Sequence, residues 1–405
     1  MRVLFAFDKF KGSLTASRAC ALAARALRAC RPDWQVDQCP LTDGGDGFAS
    51  LLTKAAGGDL IPCKVAGPRG GLVDASIGLV SRERIPAAAA PWLDLPGVQA
   101  RPGSRVAVVE MASASGLGLL RPEQRDPWRA TTYGTGQLLR AAAELGASVI
   151  VLGVGGSATN DLGLGALAAV GVEFRGSDGA MLRSPEPHLW DEIATIEGSV
   201  FPSIPPICIA CDVTSPLLGP RGAAAVYGLQ KGLLPGDLAR MEAAVARMAD
   251  LLCASCGKPP GIVEAAGTGA AGGLPFGLLA AARCRIVPGF SLTASWLRLP
   301  ERIAAADIVV TGEGCFDASS LVGKGPGSLA ALARGAGKQV HVFAGRIGGD
   351  LPSGEWQLHA IAPAGQPLDE SLRLAGEQLA RSVQSAFQGG ELQGSGSTPR
   401  SLAPQ

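Results

Sequence analysis

Six short segments, each following an apolar run, hold residue types that could do chemistry together. They are Asp8-Lys9-Phe10-Lys11-Gly12-Ser13, Thr42-Asp43-Gly44-Gly45-Asp46-Gly47, Gly153-Val154-Gly155-Gly156-Ser157-Ala158-Thr159-Asn160-Asp161, Cys211-Asp212-Val213-Thr214, Thr311-Gly312-Glu313-Gly314-Cys315-Phe316-Asp317 and Val322-Gly323-Lys324-Gly325-Pro326. Asp8, Asp43, Asp46, Asp161, Asp212, Glu313 and Asp317 supply acids, and Lys9, Lys11 and Lys324 supply lysines. Carboxylates hold hard Mg²⁺ or accept a hydroxyl proton; lysines and glycine-freed amides neutralise phosphoryl oxygens. The set suits Mg²⁺–nucleotide chemistry. Histidine is scarce, and His188, His341 and His359 all lie outside these segments. Ser-His-Asp hydrolysis and His-ligated zinc catalysis are disfavoured accordingly. One acid after a strand is more often a helix cap or a turn former. What points to function is the concentration of such groups at strand ends.

The elements that must position them alternate, apolar runs with helical periodicity, which predicts an α/β fold. Runs 2–7, 34–39, 105–111, 148–152, 307–311 and 339–343 read as strands. Thr15 can cap a helix reaching about Cys30, where Pro32 ends it. Further helices are expected after the 42–47 turn, over 236–253 and 270–282, and from Pro326. If the sheets are parallel, several of the six segments converge, because ligands bind outside the carboxyl ends of strands in open α/β sheets. The Pro/Ala-rich stretch 81–104 reads as a surface insertion, and the Gly/Ser/Pro-rich tail 389–405 as disordered.

Composition narrows the partners. Lys+Arg 36 against Asp+Glu 35 leaves a net charge of +1 in 405 residues, which argues against a chain-wide surface for nucleic acid or anionic membrane. The longest uncharged run tested, 265–282, is broken by five glycines and Pro275, so no membrane span is expected. The N-terminal run MRVLFAFDKF lacks the long apolar core of a signal peptide, and a cytoplasmic location is expected. Two CxxC pairs, Cys208/Cys211 and Cys253/Cys256, stand too far apart for a zinc ribbon and read as buried free thiols.

A rival lies in Gly153-Val154-Gly155-Gly156-Ser157-Ala158. It fits GxGxxG/A after a strand, with Glu173 at the distance of a ribose-binding acid. An NAD(P)-dependent oxidoreductase is the alternative it raises. Against it, no hydride partner stands out, and the turn more readily receives a phosphate or carboxylate at a helix N-terminus. No Gly-Lys pair is followed by Ser or Thr, so a Walker A loop is absent, as are protein-kinase signatures.

Taken in order, ten stretches resemble the type I glycerate kinase family: DKFKGSLTA (8–16), LTDGGDGF (41–48), VEMASASGL (109–117), ATTYGTGQLL (130–139), GVGGSATNDLGLGAL (153–167), ACDVTSPLLGPRGAA (210–224), GLQKG (228–232), GTGAAGGLPFGL (267–278), DIVVTGEGCFD (307–317) and GKGPGSLA (323–330). The resemblance implies ATP- and Mg²⁺-dependent phosphorylation of D-glycerate, at C2, by a monomer or homodimer that engages neither nucleic acid nor membrane. It implies a two-domain α/β fold: a Rossmann-like/flavodoxin-like parallel-sheet domain from residues 1–65 and 291–388, with a second α/β domain inserted at 66–290. Cys315, Ser215, Asp46, Ser319 and Ser320 depart from the residues the family is expected to carry there.

On this reading Asp43, Glu313 and Asp317, with Asp8, form the pool of Mg²⁺ ligands. Lys9, Lys11 and Lys324 face phosphate oxygens, and Ser13 adds to the phosphate loop. Gly155, Gly156, Ser157, Thr159 and Asn160 hold the substrate carboxylate or the transferred phosphoryl group. Asp161 and Asp212 are both candidates for the base, with Asp161 favoured; as the base, its replacement by Asn would lower kcat by about 10²–10⁴-fold.

Overall fold

A computed structural model of the chain describes residues 1–94, 101–321, 325–349, 351 and 356–388. Lys324 and the 389–405 tail lie outside the described residues. Thirteen strands form among the described residues: β1 (Arg2–Phe7), β2 (Gln35–Gln38), β3 (Asp59–Ala66), β4 (Leu72–Ser81), β5 (Arg105–Glu110), β6 (Ala147–Gly153), β7 (Val172–Gly176), β8 (Ile193–Gly198), β9 (Ile207–Ala210), β10 (Cys284–Val287), β11 (Ile308–Phe316), β12 (Gln339–Ile347) and β13 (Gln357–Ala360).

One sheet has the order β13-β12-β11-β1-β2, and every pair in it is parallel. β1 reads RVLFAF, and all but Arg2 are buried, as expected of a strand covered on both faces. The helix Ala16–Cys30 starts where Thr15 Oγ1 accepts the Arg18 N–H at 3.2 Å. It packs beside the helix Leu368–Gln388 on one face, over Val3, Phe5 and Phe7. β11 and β12 run several residues past their expected ends, so Glu313, Gly314 and Cys315 belong to a strand rather than to a loop.

The second sheet, β10-β9-β6-β5-β4-β3, is parallel from β10 to β5 and antiparallel beyond. Its β3–β4 hairpin was not expected from the sequence. β7 and β8 form a separate antiparallel pair. The whole is a multi-domain α/β architecture of mixed parallel and antiparallel sheets.

A shared apolar layer lies between the two large sheets. Leu4, Ala6 and Val309 enter it from one, and Val106, Val108, Val149 and Val151 from the other, around Phe48, Phe290 and Trp296. The stretch read as a surface insertion reaches this layer: Ile85, Ala89 and Leu93 are buried in it, and Trp92 Nε1 donates to Ser295 Oγ at 3.2 Å. The helix expected over 270–282 begins only at Leu274, because Ala271, Gly272 and Gly273 take positive φ of 52°, 68° and 91°. No described helix is long and apolar enough to cross a membrane.

Two of the three histidines are paired under the C-terminal helix. His341 Nδ1 lies 3.1 Å from His359 Nε2, and the His341 ring is 4.7 Å from that of Phe387. Burial, with His359 beside it, pushes His341 down to about 4. The unfolded chain therefore binds a proton there at a pH where the folded chain does not. The pair's stability is complete above the ordinary histidine value and is lost as pH falls from 6.5 toward 4, by up to about 3 kcal/mol. Melting temperature against pH should show that acid loss, and His341→Leu should flatten it; an equally steep loss in the variant would refute the assignment.

Candidate active site

Asp8 ends β1 at the point where β11 runs on beside it, and its backbone N–H donates to the Gly312 carbonyl at 3.0 Å. The Asp8 side chain is 6% exposed, and its Oδ1 accepts the Lys9 N–H at 2.7 Å. Burial, then Asp43, push Asp8 up to about 7; Glu313 adds to the effect and Lys9 opposes it. Lys9 Nζ donates to Asp43 Oδ1 at 2.9 Å. Burial works against the Lys9 charge, yet Asp43 and Asp8 outweigh it and hold the ammonium above its usual range. Burial likewise works against ionised Asp43, and Lys9 and the Gly45 N–H hold it below the usual carboxylate range.

The turn carrying Asp43 touches the second sheet directly. The Gly155 N–H donates to the Gly44 carbonyl at 3.0 Å. No side chain fits at the junction: a Cβ on Gly155 would lie 2.7 Å from the Gly45 nitrogen, and one on Gly153 would lie 2.5 Å from the Gly44 oxygen. Gly156 faces the Asp46 carboxylate, and a Cβ there would stand 3.9 Å from Oδ1. Asp212 follows β9 on this same side. Its Oδ1 accepts the Phe290 N–H at 2.8 Å, at the start of the helix Gly289–Trp296, and its buried Oδ2 has no hydrogen-bond partner among the described residues. Burial, opposed by that hydrogen bond and reinforced by the Asp43 charge, pushes Asp212 up to about 6. The carboxyl ends of both sheets thus bring Asp8, Lys9, Asp43, Gly155, Gly156 and Asp212 together, with Glu313 in electrostatic reach.

Asp161 has a different setting. It is 0% exposed, and its carboxylate accepts the Thr132 N–H (2.7 Å), the Thr132 hydroxyl (2.8 Å) and the N–H groups of Gly163 (3.2 Å) and Gly165 (3.3 Å). These bonds tie its turn to the segment 131–133. Nor does the glycine turn open a helix, as both the dinucleotide and the helix-terminus readings require: the next helix, Leu164–Ala169, begins ten residues past Val154. The peptides of 156–158 instead clasp the neighbouring segment, Leu117 N–H to Gly156 carbonyl at 2.8 Å and Ala158 N–H to Ser115 carbonyl at 2.9 Å. Ser157 and Thr159 are buried, and the Thr159 hydroxyl reaches the Ala271 carbonyl at 3.5 Å.

Three further predicted residues have other neighbours. Lys11 is exposed beside Gly314. The Ser13 hydroxyl donates to the Phe10 carbonyl at 3.0 Å, and the residue lines a groove between the helices Ala16–Cys30 and Leu368–Gln388. Asp317 lies past the end of β11, where Cys315 Sγ donates to its Oδ2 at 3.7 Å.

No three His, Cys, Asp or Glu side chains among the described residues are grouped closely enough to hold a metal ion by themselves. The donors that converge are nevertheless hard oxygens, with Asp8 pushed up by its neighbours and Asp212 Oδ2 unpartnered. That chemistry fits Mg²⁺, which takes one or two carboxylates and draws its other ligands from phosphates and water.

Sequence reasoning missed two residues here. Glu110, the last residue of β5, accepts the N–H groups of Gly47 (3.0 Å) and Ala49 (3.2 Å) at the start of the helix Phe48–Ala55. Burial pushes it up to about 7. Lys231 is 2% exposed and donates to the Thr159 carbonyl at 2.7 Å. Its only signal was its place inside GLQKG.

Comparison with known proteins gives a consistent set. The family described as "Glycerate kinase family" matches residues 3–389. A glycerate kinase of Halalkalibacterium halodurans is 35% identical over 391 residues, covering 94% of this chain and 97% of that one. A glycerate kinase of Haemophilus influenzae is 35% identical over 347 residues (85% and 86%), and the glycerate 2-kinase of Escherichia coli is 30% identical over 389 (94% and 96%). A crystal structure from Salmonella typhimurium LT2, described as a glycerate kinase 2, superposes with a TM-score of 0.73 at 32% identity, covering 95% of this chain and 97% of that one.

Proposed function

The chain belongs to the glycerate kinase family, and from that premise we propose that it transfers the γ-phosphoryl group of ATP to the C2 hydroxyl of D-glycerate, giving 2-phosphoglycerate. The family match from residue 3 to residue 389 carries the reading. The cluster of Asp8, Lys9, Asp43 and Asp212 supports it with the groups such a reaction needs. The oxidoreductase alternative loses its footing with the glycine turn, which opens no helix.

In phosphoryl transfer the protein contributes positioning and charge neutralisation. Lys9, fixed by Asp43, presents its ammonium to the transferring phosphate. Asp8, Asp43 and Glu313 are the carboxylates that would hold Mg²⁺, which when bound neutralises the β- and γ-phosphate oxygens. Asp212 is the better base: one oxygen is anchored by Phe290, the other is unpartnered, and its value near 6 suits acceptance of a hydroxyl proton around neutral pH. Asp161 holds the substrate loop through its four hydrogen bonds. Gly155 and Gly156 let the two sheet ends meet.

The parallel sheet has strands in the order 2-1-3-4-5 when its own five are renumbered along the chain, the order of flavodoxin-like sheets, whose switch point between strands 1 and 3 falls here at Asp8 and Glu313. We read it as the domain formed by both ends of the chain, with the other large sheet inserted. The first boundary belongs at Gly57 and Gly58 rather than at 65/66, because β3 pairs with β4 along its whole length. Ten free cysteines support a reducing, cytoplasmic setting. The test is purified chain with D-glycerate, ATP and Mg²⁺, the product identified by ³¹P NMR. A 2-phosphate ester is expected; a 3-phosphate would overturn the regiochemistry, and no ATP-dependent loss of glycerate would overturn the function.

A further inference from the structure

Behind the glycine turn lies a group of buried polar atoms short of partners. Lys231 carries three N–H donors, and its hydrogen-bond partner among the described residues is the Thr159 carbonyl. Asn160, next in the chain to Thr159, is 1% exposed, and among the described residues neither its Nδ2 nor its Oδ1 meets a partner. Buried amides left in that state cost stability unless something else pairs with them. The backbone around them is strained as well. Leu162 and Ala271 are non-glycine residues at φ of 57° and 52°, and their loops are locked by the Leu162 N–H donating to the Gly272 carbonyl at 3.0 Å. Strain of this kind clusters at ligand clamps.

The loops that carry the group also pack against the segments of the Asp8–Asp212 cluster. Five residues upstream of Asn160, Gly155 abuts Gly45, where a Cβ would stand 3.1 Å from Lys9 Nζ. On the other side, the loop holding Ala271 packs under the segment that follows Asp212: a Cβ on Gly269 would lie 2.0 Å from the Pro216 oxygen.

We propose that Asn160 and Lys231 form the seat for the carboxylate of the acid substrate, the ammonium and the amide NH₂ donating to its oxygens. This seat rests on the reading of the chain as a kinase of a small hydroxy acid, and it names the groups that tell an acid from an alcohol. Burial drives the Lys231 ammonium down to about 7. Asp161 is the charged group that faces it and pulls the other way, but its oxygens are already committed to Thr132, Gly163 and Gly165. From the other packed element, Arg125 lies against Gly232, where a Cβ would stand 2.3 Å from its carbonyl oxygen. An incoming carboxylate supplies acceptors for the ammonium N–H groups that Thr159 does not take.

The test uses the whole chain. Lys231→Met and Asn160→Ala should raise the KM for D-glycerate by about 10²-fold, with the KM for ATP unchanged within about twofold. The preference for D-glycerate over glycerol, which lacks the carboxylate, should fall by the same factor. That ratio is a readout a merely structural role would leave alone. If Lys231→Met fails to melt cooperatively, Asn160→Ser, which removes no charge, carries the same measurement. A wild-type ratio in folded variants overturns the seat and leaves the kinase reading standing. Wild-type protein that does not phosphorylate D-glycerate overturns that reading and the seat with it.

Discussion

Asp212→Asn lowers kcat by about 10²–10⁴-fold and leaves the protein folded. The amide keeps an oxygen for the Phe290 N–H, so the start of the following helix is still satisfied. What is lost is the capacity of the second oxygen, which has no partner in the free protein, to take a proton. The pH profile of kcat/KM should carry an acid limb near 6, where Asp212 stands, and the variant should lose it. Asp161→Asn is the contrast. An amide there cannot accept from four donors at once, so its NH₂ meets the Thr132 and glycine N–H groups, and the melting temperature drops. Turnover per folded molecule should be largely kept. Steady-state rates beside thermal melts decide it: an unchanged kcat for Asp212→Asn, or a lost kcat with an unchanged melt for Asp161→Asn, reverses the two roles.

Lys9→Met should lower kcat/KM for ATP by about 10²–10³-fold, the usual cost of removing one donor aimed at developing charge. The loss has two sources. The ammonium that faces the transferring phosphate is gone, and Asp8 and Asp43 are left side by side without it. Asp8 already stands near 7 with Lys9 present, so removing the cation raises it further and leaves less carboxylate to engage the metal. Lys9→Arg, which keeps the charge, should recover part of the loss. Equal loss in both would mean that shape rather than charge matters at this position.

Much of this was legible because buried parallel strands announce themselves. The run RVLFAF and the valine-rich β5 and β6 have no polar face to hide, and the loops after them carried the right acids and lysines. The β3–β4 hairpin escaped because its exposed edge strand mixes Lys64 and Pro62 with apolar residues, and proline within a run argues against a strand. Ala271 escaped because nothing in an alanine predicts a left-handed backbone; the packing of the 159–162 loop imposes it. The division between Asp161 and Asp212 was illegible for a similar reason. Both are acids just past a buried strand, and what separates them is Thr132, 29 residues from Asp161, which fills one carboxylate, while the other meets a single N–H. Lys231 reads as a loop lysine until a fold closes over it.

The five-stranded parallel sheet is threaded so that β1 lies between β2 and β11. Thr311 donates to the Ala6 carbonyl across 305 residues of sequence. On the ribosome, β1 therefore emerges long before the neighbour that sets Asp8 in place, whereas the strands of the other large sheet are all made within residues 59–287 and can pair first. Activity is consequently a late event in biogenesis. A chain stalled before residue 308 already has every strand of the other large sheet and still lacks the strand that pairs beside Asp8.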